Sequence, residues 1–353
     1  MGSWEWINVF DDKYKRPGIW LHFFVGGRGG GKTYGALKGA YEDALKGYGH
    51  GFILLRRTDK ERKVNEAVNP FLKFNRRSGY TAVTEPITKD LSGIYRGVPG
   101  DDGELKGEGA PLGYMMALST LASMRSVGLD DEAVDKLIYD EFIPEKHVRL
   151  LKCEGEAFLN AFETFNRNRE IELGLPPLTC YLMANANDID NPIFKVLGLI
   201  PVVEKMYRKG ETDHYDNKRG YAIHLLQNKD FEEEKKKTSI ARLTEGSDYY
   251  EMAYENKFAY NDMTCIRRLD AAGFTPCFAV GDWHVWQRKG CTEFYASYKD
   301  GSFAYRYTPG NQADGMLARQ RHGILFRKAY AAGRITFESY EIKSGLLDFF
   351  GLK

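Results

Sequence analysis

The sequence predicts an α/β fold, a mostly parallel sheet with flanking helices, followed by a smaller α+β domain. Three observations carry this. The stretch Leu21-His22-Phe23-Phe24-Val25 runs directly into a glycine-rich segment, Gly26 to Thr33, and then into a helical pattern. A second apolar run, Lys136 to Tyr139, ends in Asp140-Glu141. From about Asn261 the pattern changes to short strands separated by Gly281-Asp282, Lys289-Gly290 and Asp300-Gly301, and Asp-Gly is a tight hairpin signal.

Composition bounds the class. With 353 residues, 43% hydrophobic and 28% charged, the chain is globular and long enough for two domains. A net charge of +1 points to no polyanionic partner by itself. Residues 259–353 carry 13 Lys and Arg against 9 Asp and Glu, a mild basic surplus compatible with nucleic acid. The five cysteines form no C-x-x-C and no metal-type spacing, so they read as reduced and intracellular. No run reaches the 18 or so apolar residues of a membrane span, and residues 1–10 lack the pattern of a signal peptide. The expectation is a cytosolic protein with no membrane partner.

The elements follow in order. Residues 1–18 read as a short arm ending at Pro17-Gly18. Gly26, Gly27, Arg28, Gly29, Gly30, Gly31, Lys32 and Thr33 fit G-x-x-x-x-G-K-[ST], the phosphate-binding P-loop. A triphosphate needs several backbone N–H groups aimed at one point, and glycine both clears the approach and permits positive φ. Lys32 then reaches the β- and γ-phosphates of ATP, Thr33 ligates Mg²⁺, and the helix N-terminus adds partial positive charge. The helix carries Ala36, Leu37, Ala40, Tyr41, Ala44 and Leu45 on one stripe and stops at Lys46-Gly47.

Gly51 to Leu55 reads as a second buried strand ending in Arg56-Arg57. Arg56 is a candidate nucleotide contact, because α/β folds place ligand-binding groups at such strand ends. Lys60, Arg62 and Lys63 follow on a polar helix, read as a solvated face or as contacts to DNA phosphates. Residues 79–113 resemble a hairpin insertion, Tyr114 to Leu118 a further strand, and Ser119 to Ser126 a loop containing Arg125.

Asp140-Glu141 ends the strand that a P-loop ATPase needs beside its P-loop strand. Asp140 would hold Mg²⁺ and Glu141 would polarise the attacking water. Two surface acids at a strand end are the plain alternative. The position of Asp140, 108 residues after Lys32 with a strand between, argues against it. A water-activating Glu also favours a hydrolase over a small-molecule kinase. Cys153 to Glu170 reads as one helix ending in Arg167-Asn168-Arg169, and one of the two arginines is a candidate finger toward a neighbouring subunit. Leu178 to Ala184 is a fifth strand ending in Asn185, whose amide would hold the lytic water or sense the γ-phosphate.

The domain expectation is 1–197 for the ATPase, 198–258 for a linker or lid that includes the charge block Lys229 to Lys237, and 259–353 for the C-terminal domain. An antiparallel meander followed by a helix, about Ala313 to Ala331, is how ribonuclease-H-like domains begin. Such nucleases need acids converging on two metals. Asp270, Asp282, Glu293, Asp300, Asp314, Glu338, Glu341 and Asp348 form no convincing cluster.

The chain resembles the DNA-packaging ATPases of small tailed phages of the phi29 type. The matching stretches are Phe24 to Thr33, Leu55-Arg56-Arg57, Tyr139 to Lys146, Arg167 to Glu170, and Asn185-Ala186 with Asn191-Pro192. The resemblance implies an additional-strand P-loop ATPase joined to a ribonuclease-H-like domain that has lost its acids. It implies a homopentameric ring that pumps double-stranded DNA into a prohead in the host cytoplasm, docked on the portal through a packaging RNA. By that likeness Lys32 and Thr33 bind phosphate and Mg²⁺, Asp140 is the metal acid, Glu141 the catalytic base and Arg167 the finger acting in trans. Arg125 takes the place of another basic residue near the neighbour's ATP. Here Asn166 separates Phe165 from Arg167, a departure from the family that leaves Arg169 as the other candidate. The rival readings are a large-terminase-like motor with an active C-terminal nuclease, and a nucleotide-dependent structural switch without sustained turnover.

Overall fold

The computed structural model describes residues 7–101, 103–124, 132–145, 148–227, 229–247, 250 and 261–352. The chain divides into two compact units, Met1–Leu197 with Lys209–Tyr260, and Gly198–Arg208 with Asn261–Lys353. The main chain therefore passes from one unit to the other three times.

The first unit holds a nine-stranded sheet. Its strands are β1 (Leu21–Gly26), β2 (Gly51–Arg56), β3 (Ala82–Thr88), β4 (Leu91–Pro99), β5 (Leu105–Ala117), β6 (Val134–Asp140), β7 (Thr179–Asn185), β8 (Asp213–Asp216) and β9 (Tyr221–Leu226). The order is β3-β4-β5-β2-β6-β7-β1-β9-β8. The six strands from β5 to β9 in that order are parallel, with antiparallel β3-β4 and β8 at the edges. Buried on both faces, the central strands read as nearly continuous apolar runs, with His22 the polar exception in the middle of β1.

The topology corrects one expectation. The Asp-Glu strand β6 is not beside the P-loop strand. β7 lies between them, pairing Gly26 with Asn185 on one side and Asp140 with Met183 on the other. Asn185 is thus inserted between the glycine loop and the two acids.

Helix α1 (Lys32–Ala44) buries Ala36, Leu37, Ala40, Tyr41 and Ala44, whereas Leu45, read on the same stripe, caps the helix and is exposed. Its other small residues admit the N-terminal arm. A Cβ on Gly35 would lie 2.0 Å from the Ile7 carbonyl oxygen, and one on Gly39 would lie 2.4 Å from the Phe10 ring. The region 79–113 is not a separate hairpin, since β3, β4 and the first half of β5 extend the main sheet. Helix α2 (Asp59–Val68) starts at a capping box made by Thr58 and Glu61. Helix α3 (Leu72–Ser78) follows it.

Arg62 is not part of a solvated face. It is buried, donating to Asp59 at 2.9 Å, Glu66 at 2.8 Å, Ser92 Oγ at 2.7 Å and the Lys89 carbonyl at 2.7 Å. Four acceptors compensate the guanidinium for leaving water.

The helix expected over 153–170 is broken. Helix α4 (Glu154–Asn166) ends at Arg167, whose φ is +43°, and a single turn α5 (Arg169–Glu172) follows. The Asn166 side chain accepts from the Leu178 N–H at 2.9 Å instead of continuing the helix exterior. Helix α6 (Pro192–Val196) then closes this part.

The region 198–258, expected as linker or lid, has no single role. Helix α7 (Ile200–Lys209) belongs almost entirely to the second unit, whereas β8 and β9 complete the sheet of the first. Tyr221 to Leu226, apolar but for His224, pairs along the full length of β1. Helices α8 (Lys229–Lys236) and α9 (Ser239–Thr244) follow.

The second unit is α+β. β10 (Phe274–Val280), β11 (Trp283–Arg288) and β12 (Phe294–Ser297) form an antiparallel meander. β13 (Arg306–Tyr307) runs parallel beside β10, and β14 (Ile335–Phe337) parallel beside β12. The expected helix is present as Gln312–Ala318, a wider turn Arg319–Gly323, and Ile324–Ala331. Phe326 stacks on Phe350 with ring centroids 4.5 Å apart, and Phe278 packs on both. Helix α7 is sewn into this unit: Glu204 accepts from the Tyr340 N–H at 2.8 Å, and Arg208 donates to the Ile266 carbonyl at 3.2 Å. Asp270, Asp282, Glu293 and Asp300 are exposed.

Candidate functional site

The site is built at the carboxyl ends of β1, β2, β6 and β7. Gly29 and Gly31 hold φ of +84° and +87°, a backbone that L side chains rarely adopt. Gly26 is pressed against β9, where a Cβ would meet Leu226 at 2.9 Å. The loop then delivers its N–H groups to the start of α1, an anion-binding arrangement.

Lys32 is buried and its ammonium is held by neutral oxygens: Gly26 O at 3.1 Å, Gly27 O at 2.8 Å and Asn185 Oδ1 at 3.2 Å. Burial lowers its pKa to about 8, against the opposing pull of Asp140. Thr33 Oγ1 lies 3.0 and 3.1 Å from the two Asp140 oxygens. Glu141 follows in a left-handed conformation, φ +61°, which turns it out of the strand direction. Its carboxylate is half exposed, and burial of the remainder together with the adjacent Asp140 raises its pKa. The two acids and the loop line a cavity of about 330 Å³, which Tyr34, Lys73 and Phe74 complete.

Arg56, read as a candidate nucleotide contact, stands against the acids of the site, with Nη1 2.7 Å from Asp140 and Nη2 3.3 Å from Glu141. The strand register explains this. β2 lies next to β6, and the nearest anions to its tip are those two carboxylates.

Arg57 points the other way. It makes a bidentate, buried pair with Glu154 at 2.7 and 2.9 Å and donates to the Arg149 carbonyl at 2.7 Å, tying the β2 end to α4. Neither Glu154 nor this pair belongs to a motif in the sequence. Alternation along a strand end, which sends two adjacent arginines to opposite sides, is the signal that could have found it.

Of the other predicted residues, Arg28 and Asn185 line the same cavity. Arg28 pairs with Glu145, which lies in the matching stretch Tyr139 to Lys146. Asn185 accepts from Lys32. Arg167 is exposed at the end of α4 and does not line the cavity of its own chain. Arg169 is buried and donates to Val134 O at 2.9 Å and Pro176 O at 3.0 Å. Arg125 lies outside the described residues, as does Lys146.

A glycine loop between strand and helix, Lys-Thr at its end, and an Asp-Glu pair one strand further across define the class: an additional-strand P-loop fold with a cavity over its glycine loop. A family model described as podovirus DNA encapsidation protein (Gp16) matches residues 98–283, more than half of the chain. The chain belongs to that family.

Two curated relatives are DNA packaging proteins. That of Bacillus phage B103 is 28% identical over 254 residues, 70% of this chain and 67% of the relative. That of Bacillus phage phi29 is 27% identical over 258 residues, 70% of this chain and 65% of the relative. The alignments thus span about two thirds of the curated relatives' length. The fold is similar to a chain of the bacteriophage phi-29 viral genome packaging motor assembly, with a TM-score of 0.65 at 22% identity over 97% of both chains. Among the described residues, no helix is long and apolar enough to cross a membrane.

Proposed function

We propose that this chain is an ATP-driven translocase that packages double-stranded viral DNA into a prohead, working as a homopentameric ring with ATP hydrolysed at subunit interfaces. The single observation that supports it most is the Thr33–Asp140 pair, at 3.0 Å, with Glu141 beside it at the wall of the same cavity. The hydroxyl and carboxylate offer two hard oxygens on one side, which suits Mg²⁺, a cation that takes few protein ligands and fills the rest with water and phosphate. When bound, that cation supplies neutralisation of charge on the transferring phosphoryl group.

The chain's own residues do the rest. The loop from Gly26 to Gly31 binds the phosphates through its N–H groups, and Lys32 exchanges carbonyl oxygens for phosphate. Glu141 takes the proton of the attacking water, and its raised pKa brings it nearer to working pH. Arg56 orients both acids from β2. Asn185, on the intervening strand, orients the water or senses the terminal phosphate. Arg167 serves the site of a neighbouring copy, in keeping with its exposed place away from its own cavity. Arg125 is a further basic residue toward that neighbour.

The basic surplus in residues 259–353 supports a grip on DNA phosphates that ignores sequence and weakens steeply with salt. The second unit is then a ribonuclease-H-like domain used for binding rather than cutting. The portal and a packaging RNA are the remaining partners in this reading, and the host cytoplasm its place.

The test is the ATPase rate with and without double-stranded DNA for wild type, Glu141→Gln, Arg167→Ala and mixtures with wild type. DNA should stimulate the wild type. Glu141→Gln should bind nucleotide yet lose about 10²- to 10⁴-fold in turnover. Arg167→Ala should lose about 10³-fold or more and poison mixed rings. A DNA-indifferent rate, linear in the wild-type fraction, would sink the proposal.

A further inference from the structure

Helix α8, a charge block that reads in the sequence as a solvated helix, lies against the glycine loop. Phe231 and Lys235 stand four residues apart and therefore on one helix face. That face covers the middle of the loop. A Cβ on Gly29 would sit 3.5 Å from the Phe231 ring and 3.8 Å from both Cε and Nζ of Lys235. The Lys235 ammonium donates to the Arg28 carbonyl. Arg28 and Gly29, the two loop residues that Lys235 approaches, line the cavity that also holds Asp140 and Glu141.

The charges gathered there suit a polyanion. Arg28, Lys32 and Lys235 converge on a loop that already presents backbone N–H groups, with Glu145 paired to Arg28 and Asp140 acting on Lys32. Burial, with the Arg28 charge next, brings the Lys235 pKa down to about 8, and the Lys235 charge acts in the same direction on Lys32. Cations packed together at a partly buried site repel one another, and a polyphosphate relieves that repulsion.

We propose that Lys235 contacts the terminal phosphate of a nucleoside triphosphate bound in its own chain's loop, exchanging the Arg28 carbonyl for a phosphate oxygen. This rests on the nucleotide reading of the loop. Helix α8 thereby distinguishes a triphosphate from a diphosphate, in cis, whereas Arg167 acts on a neighbour.

The test is equilibrium binding of a non-hydrolysable ATP analogue and of ADP to the full chain, for wild type, Lys235→Ala, Lys235→Arg and Lys32→Ala. Thermal unfolding of each variant checks that it is folded. Lys235→Ala should lose about tenfold or more on the triphosphate, the size of a hydrogen bond to a charged group. It should lose less than about twofold on ADP by the same reasoning. Lys235→Arg should recover most of the loss, because it restores the charge.

Equal losses on both nucleotides would overturn the proposal. So would unchanged or tighter triphosphate binding, which would make Lys235 a latch for α8 alone. Wild type that binds neither nucleotide, or Lys32→Ala that binds like wild type, would overturn the loop reading and this proposal with it. Lys32-dependent binding with no Lys235 effect would overturn this proposal only.

Discussion

Arg169 donates from a buried position to the carbonyls of Val134 and Pro176, whereas Arg167, two residues earlier, ends a helix in the open. The two side chains therefore carry different consequences. Arg169→Met removes the donors for two carbonyls and should cost about 2 to 4 kcal/mol in stability, read as a lowered urea midpoint. Arg167→Ala should leave that midpoint within about 0.5 kcal/mol of wild type, since exposed sites rarely move stability further. A midpoint that fell for Arg167→Ala and held for Arg169→Met would reverse the assignment. At this scale the sequence was legible where chemistry is local. Gly26 to Thr33 and Asp140-Glu141 are contiguous motifs. The partners of Arg56 were not legible, because they lie 84 and 85 residues away and depend on which strands become neighbours. Arg62 looked like one charge on a polar helix until Ser92 and Lys89, from another strand and its turn, closed over it.

Helix α1 illustrates how an element can be read correctly and still hold something back. Its apolar stripe and its stop at Lys46-Gly47 follow from periodicity and end signals. Gly35 and Gly39 carry no such signal, because what they make room for is the arm at Ile7 and Phe10. Gly35→Ala improves helix propensity by about 1 kcal/mol. It nevertheless places a methyl 2.0 Å from a carbonyl oxygen, so the arm must move off the helix. Faster cleavage by protease within residues 7–16 is the expected readout, and unchanged protection would show that the arm is held elsewhere. The break of α4 at Arg167 was hidden for a related reason: Asn166 is engaged by the Leu178 N–H, a tertiary partner that outweighs local helix preference. The insertion of β7 between β1 and β6 was likewise beyond composition, since three similar apolar strands give no order by themselves.

At the scale of the whole molecule, two buried histidines make stability depend on pH. His22 on β1 and His224 on β9 face each other at 3.4 Å, and His224 also meets Asp213 at 2.7 Å. Burial first, then the neighbouring imidazole, lowers the His22 pKa to about 4 from an ordinary 6.5, and burial lowers that of His224 as well. The folded chain holds His22 neutral while the unfolded chain protonates it. Its contribution is intact above about pH 6.5 and is lost as pH falls toward 4, on the order of 3 kcal/mol. Urea midpoints between pH 7.5 and 4.5 should fall accordingly, and His22→Phe should flatten the slope. A wild-type profile level across that range would contradict the assignment.

The path of the main chain has a consequence for dissection. Because helix α7 is donated backward into the second unit, a fragment begun at Asn261 would lack Glu204 and Arg208, leaving the Tyr340 N–H and the Ile266 carbonyl without them. Three covalent crossings also join the two halves. A single protease nick at one of these crossings therefore leaves the halves stitched together by the other two.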